Sequence, residues 1–93
     1  MNFIHKSKKS LGQNFLTDQN ITNKIINIAN INKNVNVLEI GSGTGSLTKK
    51  ILRMNPKKFF GIEKDKNLFN LLNKTFGNYN NVKFINEDIL NIL

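Results

Sequence analysis

The 93-residue sequence contains no cysteine, no tryptophan, one histidine and one proline. The lack of cysteine excludes a disulfide framework, a thiolate nucleophile and a cysteine-ligated zinc, and one histidine is too few for an ordinary zinc site. No apolar run approaches the roughly 20 residues that a transmembrane helix needs, and the first ten residues are too polar for a signal peptide. The sequence therefore predicts a cytoplasmic protein that binds neither a metal nor a membrane.

Acidic residues are also scarce. Six Asp and Glu stand against fourteen Lys and Arg, which gives a net charge of +8 and a pI near 10.0. Such an excess of positive charge in a short chain is typical of proteins that bind a polyanion. The Asn-, Ile- and Lys-rich composition of an AT-rich genome explains the charge equally well, so charge alone leaves the partner open.

The chain is long enough for one small domain, because domains usually need about 50 to 200 residues to enclose a core. Residues 1–18 show no clean periodicity and contain a basic cluster of Lys6, Lys8 and Lys9. We therefore predict an extended basic arm over residues 1–18 and a folded domain over residues 19–93.

Helical and strand patterns alternate within the predicted domain. Helix caps, glycine and proline stops and β-branched runs predict helices over 19–30, 46–54 and 66–76 and strands over 35–40, 59–62 and 82–85. The spacing of apolar residues predicts which helix residues face the core: Ile21, Ile25, Ile28, Ala29, Leu47, Ile51, Met54, Leu68, Leu71, Leu72 and Phe76.

The repeat of strand and helix, about two dozen residues long, is typical of parallel strands joined by right-handed crossovers. It predicts the opening half of a doubly wound α/β sheet, with the three strands lying in the spatial order three, two, one. In that order the first strand, residues 35–40, has one edge without a partner, and an open apolar edge favours aggregation.

Carboxylates gather where these strands end. In open parallel sheets the ligand binds beyond the carboxyl ends of the strands, and four of the six acidic residues fall there: Glu39, Glu63, Glu87 and Asp88. The alternative interpretation is that these carboxylates have no ligand, because solvent-exposed strand ends tolerate any polar residue. We predict ligand roles for Glu63 and Asp88, whereas Glu39 lies inside the strand and either binds the ligand or braces the following loop.

The loop between the first strand and its helix, residues 41–45, has the pattern Gly-x-Gly-x-Gly, which lets backbone approach a nucleotide-type ligand. The dinucleotide-binding pattern Gly-x-Gly-x-x-Gly would require its third glycine at position 46, where this sequence has Ser46. This difference weakens the interpretation of the loop as a pyrophosphate-binding loop. Glu63 suits the hydroxyls of a ribose in NAD or in an adenosyl ligand. Asp88 suits an adenine amino group, and Ile89 offers an apolar face to the ring.

Four segments occur in the same order as the successive motifs of a known family. They are Lys8–Leu16 (KKSLGQNFL), Leu38–Gly45 (LEIGSGTG), Ile62–Asp65 (IEKD) and Asn86–Leu90 (NEDIL). Together they resemble the rRNA adenine dimethyltransferases of the small ribosomal subunit. The resemblance implies the N-terminal half of a Rossmann-like, S-adenosylmethionine-dependent methyltransferase fold, with three parallel strands and flanking helices. It also implies dimethylation of adenines in ribosomal RNA, a role in ribosome biogenesis and no oligomer for the full-length enzyme.

The resemblance also implies roles for individual residues. It assigns Asn14 and Leu16 of the arm, together with Gly41 of the glycine loop, to the surroundings of the methionine end of the cofactor. Gly43, in the same loop, is also expected to bind the cofactor. Glu63 is assigned to the ribose, and Asp88, beside Ile89, to the adenine. Contacts to RNA are expected from the basic cluster, Lys6, Lys8 and Lys9. Ser42 departs from the proline that is most common in the family.

The family's motif for holding the target adenine, an Asn or Asp followed by proline and an aromatic residue, is missing. The only proline, Pro56, is interpreted as a helix stop. We therefore expect a cofactor-binding N-terminal fragment that has no catalytic residue and is inactive alone.

Three other readings stay open. They are a large-subunit rRNA adenine methylase of the antibiotic-resistance type, a nicotinamide-dependent oxidoreductase half-domain, and a non-catalytic RNA-binding module. The last would add phosphate contacts from Lys49, Lys50, Arg53, Lys57 and Lys58.

Overall fold

The structure is a computed structural model that describes residues 2–5 and 19–92. Its elements follow the chain in the order β1 (Asn2–His5), α1 (Gln19–Ala29), β2 (Asn36–Ile40), α2 (Ser46–Arg53), β3 (Lys58–Ile62), α3 (Lys66–Phe76), β4 (Val82–Ile85) and α4 (Ile89–Ile92). The three strands and three helices expected from the sequence are all present, within one or two residues of their predicted bounds, which confirms the fold class.

The sheet is parallel throughout, with the spatial order β1-β2-β3-β4. The order predicted for the last three strands is therefore correct. The register places Val37 opposite Phe59 and Glu39 opposite Gly61. Two further backbone hydrogen bonds, from Gly41 N–H to the Ile62 carbonyl (2.7 Å) and from Glu63 N–H to the Ile85 carbonyl (3.0 Å), extend the ladders to the carboxyl ends. These ends consequently form one rim, from which the glycine loop and the segments after β3 and β4 leave the sheet.

The strand β1 was not expected from the sequence, which places residues 2–5 in the arm. The structure pairs β1 with β2 in parallel, from Asn2 opposite Val37 to His5 opposite Ile40. The expectation of an open edge on β2 is therefore wrong. Four residues are too few to show a period, and what draws them into the sheet is the row of unpaired backbone groups on β2. The boundary at residue 18 stays a prediction, because residues 6–18 lie outside the described residues.

The hydrophobic core lies on one face of the sheet. Strand residues Val37, Phe59 and Phe84 are buried on that face and form one cluster with residues of α1, α2 and α3: Ile26, Leu47, Ile51, Leu72 and Phe76. Strand side chains alternate between faces, and these three strand positions share one face by register. All three helices therefore pack on the same side of the sheet.

None of the helices in the described ranges is long and apolar enough to cross a bilayer.

Three residues predicted to face the core are exposed instead: Ile28 at 83%, Met54 at 45% and Leu71 at 46%. Neighbouring residues on a helix point about 100° apart, so only part of each apolar stretch can face the sheet. In α1 the core position is taken by Ile26, and in α3 it is taken by Leu72. Met54 follows the last residue of α2, and at this end of the helix its side chain is only partly covered.

Candidate cofactor site

The glycine loop at the rim carries the chain from β2 into α2. Gly41, Gly43 and Gly45 all have positive φ angles, of 72°, 60° and 89°. Residues with a side chain rarely adopt such angles, and three of them within five residues let the backbone turn sharply beside the end of β3. The loop thus has a backbone conformation that only glycine adopts at low cost.

Two glycines also make room for neighbouring elements. A Cβ atom on Gly45 would lie 2.7 Å from Cε2 of Phe76, so the start of α2 is packed directly against α3. A Cβ atom on Gly61 would lie 2.7 Å from the Ser42 Oγ and 2.6 Å from Cδ1 of Phe84. The sequence predicts Gly61 only as a strand residue. The register of β3 against its neighbours places Gly61 beside Ser42 of the glycine loop, where a side chain would not fit.

Glu63 joins the glycine loop to the end of β3. The side chain is only 6% exposed, and its two oxygens each accept a backbone hydrogen bond. Gly43 N–H donates to Oε1 at 2.8 Å, and Asp65 N–H donates to Oε2 at 2.9 Å. A carboxylate oxygen has two lone-pair sites, so each oxygen can accept one more hydrogen bond. Gly43 and Glu63, 20 residues apart in sequence, are therefore brought together at the rim.

Glu39 is completely buried beneath the loop. Its Oε1 accepts a hydrogen bond from the Thr48 hydroxyl, which links β2 to α2 across the glycine loop. Of the two roles that the sequence leaves open for Glu39, the structure shows the bracing contact. Thr48, which is buried as well, is a partner that the sequence does not single out.

Replacing Thr48 by valine, which has the same shape, is expected to lower the free energy of unfolding by about 1 to 3 kcal/mol, because a buried carboxylate loses a hydrogen-bond donor. Urea denaturation of parent and variant would measure the difference. Thr44 is exposed, so Thr44→Val is the matched control and should change stability by less than about 0.5 kcal/mol. Equal stability of Thr48→Val and the parent would show that the contact does not hold the loop.

Asp88 lies next along the rim, beyond β4. It is partly buried, and its Oδ1 accepts from Leu90 N–H at 3.0 Å at the start of α4. The neighbouring Ile89 is partly buried too. Asn86 ties the two strand ends together, because its Nδ2 donates to the carbonyl oxygens of Glu63 (3.0 Å) and Lys64 (3.1 Å). β3 and β4 are neighbours, so Glu63 and Asp88 follow one another along the same rim.

Some predicted site residues cannot be placed. Five of them lie outside the described residues: Asn14, Leu16, Lys6, Lys8 and Lys9. Within residues 2–5 and 19–92 no group of three or more His, Cys, Asp or Glu side chains is arranged to hold a metal ion. Glu87, the remaining acidic residue after β4, is exposed.

Comparison with known proteins finds a family and sequence relatives that are named for the methylation of ribosomal RNA. The family model described as ribosomal RNA adenine dimethylase matches residues 4–92. A protein named ribosomal RNA small subunit methyltransferase A from Streptococcus thermophilus is 54% identical over 83 residues, which is 89% of this chain and 28% of the relative. A protein of the same name from Halothermothrix orenii is 48% identical over 87 residues, covering 94% of this chain and 29% of the relative.

Two solved structures share the fold. A dimethyladenosine transferase from Plasmodium falciparum has a TM-score of 0.67 and 37% identity, covering 76% of this chain and 26% of that one. The 23S rRNA methyltransferase ErmE has a TM-score of 0.71 and 28% identity, covering 82% of this chain and 31% of that one. This chain spans less than a third of the length of each of these four relatives. With nearly all of its residues matched by the family model, the chain belongs to the ribosomal RNA adenine dimethylase family.

Proposed function

We propose that this chain forms the cofactor-binding part of an enzyme that dimethylates adenines in small-subunit ribosomal RNA, using S-adenosylmethionine in the cytoplasm during ribosome biogenesis. The observation that supports the proposal most directly is the 2.8 Å hydrogen bond from Gly43 N–H to the Glu63 carboxylate. It occurs in a chain that belongs to the ribosomal RNA adenine dimethylase family. It joins an acidic strand end to a glycine loop, the combination that suits an adenosyl ligand.

The chemistry of the rim fits this cofactor. Each Glu63 oxygen accepts one backbone hydrogen bond and can accept one more, so the two together suit the 2′ and 3′ hydroxyls of the ribose. Asp88 would accept a hydrogen bond from the adenine amino group, and Ile89 would lie against the ring. The backbone of Gly41 and Gly43, with Asn14 and Leu16, would surround the methionine end.

The bound cofactor would supply an electrophilic methyl group on sulfur. Binding and orienting it are the tasks proposed here for the residues of this chain. The isolated 93 residues are expected to bind the cofactor without methylating RNA, since the sequence contains no counterpart of the family's motif that holds the target adenine. No catalytic residue is therefore assigned.

Ribosomal RNA is the proposed macromolecular partner, with Lys6, Lys8 and Lys9 contacting its phosphates. The two curated relatives described above, at 54% and 48% identity, are named for the small subunit. The structural relative named for 23S rRNA is only 28% identical. This difference favours a small-subunit substrate over the large-subunit alternative.

Replacing Glu63 by alanine is expected to weaken S-adenosylmethionine binding by about 1.5 to 3 kcal/mol, the scale for losing hydrogen bonds to a charged group. Glu63→Gln should cost less, because the amide keeps one acceptor oxygen. Isothermal titration calorimetry on the 93-residue chain, with S-adenosylmethionine and NAD in separate titrations, is the measurement. NAD is expected not to bind measurably.

The matched control is Glu87→Ala, which removes an exposed carboxylate from the same rim and should leave cofactor affinity unchanged. Since Glu63 also holds Gly43, the melting temperature of each variant is measured in the same buffer. Equal affinity for Glu63→Ala and the parent, or tighter binding of NAD than of S-adenosylmethionine, would reject the proposed function.

A further inference from the structure

Charge is divided between the two ends of the sheet. Five acidic residues lie in the described ranges, and all occur in the last two residues of a strand or just beyond it: Glu39, Glu63, Asp65, Glu87 and Asp88. The amino ends of the strands, with the turns that lead into them, carry only positive charges among the described residues: Lys33, Arg53, Lys57, Lys58 and Lys83. The end of the sheet opposite the cofactor site is therefore positively charged.

A cleft lies at this positive end, at the starts of the paired strands β3 and β4. It has a volume of about 330 Å³, and its lining includes Lys57, Lys58, Phe60, Asn80, Asn81 and Lys83. Phe60 lies opposite Lys83 in the register, and Lys58 precedes Phe60 by two residues. By strand alternation these three side chains share one face of the sheet, away from the core. We call this feature the amino-end cleft.

The lysines of the amino-end cleft are exposed, and no ion pair joins them to any other residue in the described ranges. Their backbone is nevertheless held in place. Lys57 N–H donates to the Val35 carbonyl at 2.8 Å, and the Asn81 side chain donates to the Pro56 carbonyl at 2.8 Å. The cleft thus presents positive charge on a rigid backbone, which lowers the entropic cost of binding a partner.

Aromatic surface accompanies the charge. Phe60 in the cleft is partly exposed, and Tyr79, in the turn just before Asn80, is 54% exposed. Positive grooves with aromatic side chains are the usual means of holding an RNA backbone and stacking its bases. An anionic membrane surface is instead bound by an amphipathic helix with a broad apolar face, whereas the residues that line the cleft belong to two strands and a turn. The combination favours RNA.

We propose that the amino-end cleft is a second RNA-binding surface, separate from the cofactor site, which contacts phosphates through Lys57, Lys58 and Lys83. The identification of the partner as ribosomal RNA rests on the proposed function. A five-residue strand is about 16 Å long, so the cleft and the cofactor rim would contact different parts of the RNA. The cleft would anchor the substrate while the target adenine lies at the opposite rim.

The test compares two variants with the same loss of charge, Lys58→Gln/Lys83→Gln in the cleft and Lys24→Gln/Lys66→Gln elsewhere on the exposed surface. Binding of a fluorescein-labelled RNA hairpin is followed by fluorescence anisotropy over a range of salt concentrations. The cleft variant should lose about tenfold in affinity near 0.1 M salt, with a log–log salt slope shallower by about 1.5 to 2, and the control less than about twofold. A second hairpin of unrelated sequence should lose affinity by the same factor.

Unchanged RNA affinity of the cleft variant, or equal losses in both variants, would overturn the proposal. A loss confined to phosphatidylglycerol vesicles would overturn it in favour of a lipid surface. A measurement on the parent chain avoids any folding defect: RNA should protect Lys58 and Lys83 from acetylation more than Lys24 and Lys66. Cofactor binding is measured separately, so failure of the proposed function would show as absent S-adenosylmethionine binding while the RNA results stand.

Discussion

Gly45→Ala is expected to lower the free energy of unfolding by about 2 to 5 kcal/mol, a large share of the 5 to 15 kcal/mol typical of small domains. Two costs add at this position. The φ angle of 89° is strained for any residue with a side chain. The added Cβ atom would also lie 2.7 Å from Phe76 and 3.2 Å from Leu72 in the core. Urea denaturation followed by circular dichroism measures the loss.

Control variants separate these two costs. Ser46→Ala, at the exposed neighbouring position, should change stability by less than about 0.5 kcal/mol. In a double-mutant cycle, Phe76→Leu should recover part of the loss by removing the ring that the new methyl group meets. The part not recovered measures the strained backbone. A Gly45→Ala variant as stable as its parent would show that α2 and α3 do not pack as closely as the structure has them.

Phe59→Ala is expected to cost about 3 to 5 kcal/mol of stability, the range for removing a large aromatic side chain from a core. Phe59 is completely buried in the middle strand of the core face. Its ring meets Phe84 edge-on, with 5.8 Å between the centroids and 63° between the planes. The substitution removes this pair and leaves a cavity in the core cluster that Phe59 shares with residues of α2 and α3.

The matched control is the next residue in the same strand. Phe60 points to the opposite face and is only partly buried, so Phe60→Ala should cost clearly less than Phe59→Ala. Phe59→Leu, which keeps most of the volume, should cost less than about 1.5 kcal/mol. Urea midpoints that fall equally for Phe59→Ala and Phe60→Ala would contradict the assignment of the core to one face of the sheet.

The elements that the sequence determined by itself are those with a local signal. Asp65 shows this directly: its side chain accepts from Leu68 N–H at 2.9 Å, the N-cap contact expected of an aspartate before an apolar helix. The glycines of the loop likewise need only their own backbone freedom to be recognised. β2, β3 and β4 follow from short apolar runs between turns, so their parallel arrangement and the acidic rim at their carboxyl ends could be predicted before any contact was known.

Tertiary structure alone decided the contacts between distant residues. Glu63 could be assigned to the rim, but its hydrogen bond to Gly43 depends on the register of β2 against β3. The same register sets the space that Gly61 leaves for Ser42. The face that each helix buries, and the pairing of β1 with β2, depend on surfaces and backbone edges that exist only once the sheet has formed. Such pairings are set by geometry across the chain, and no local period or cap carries that information.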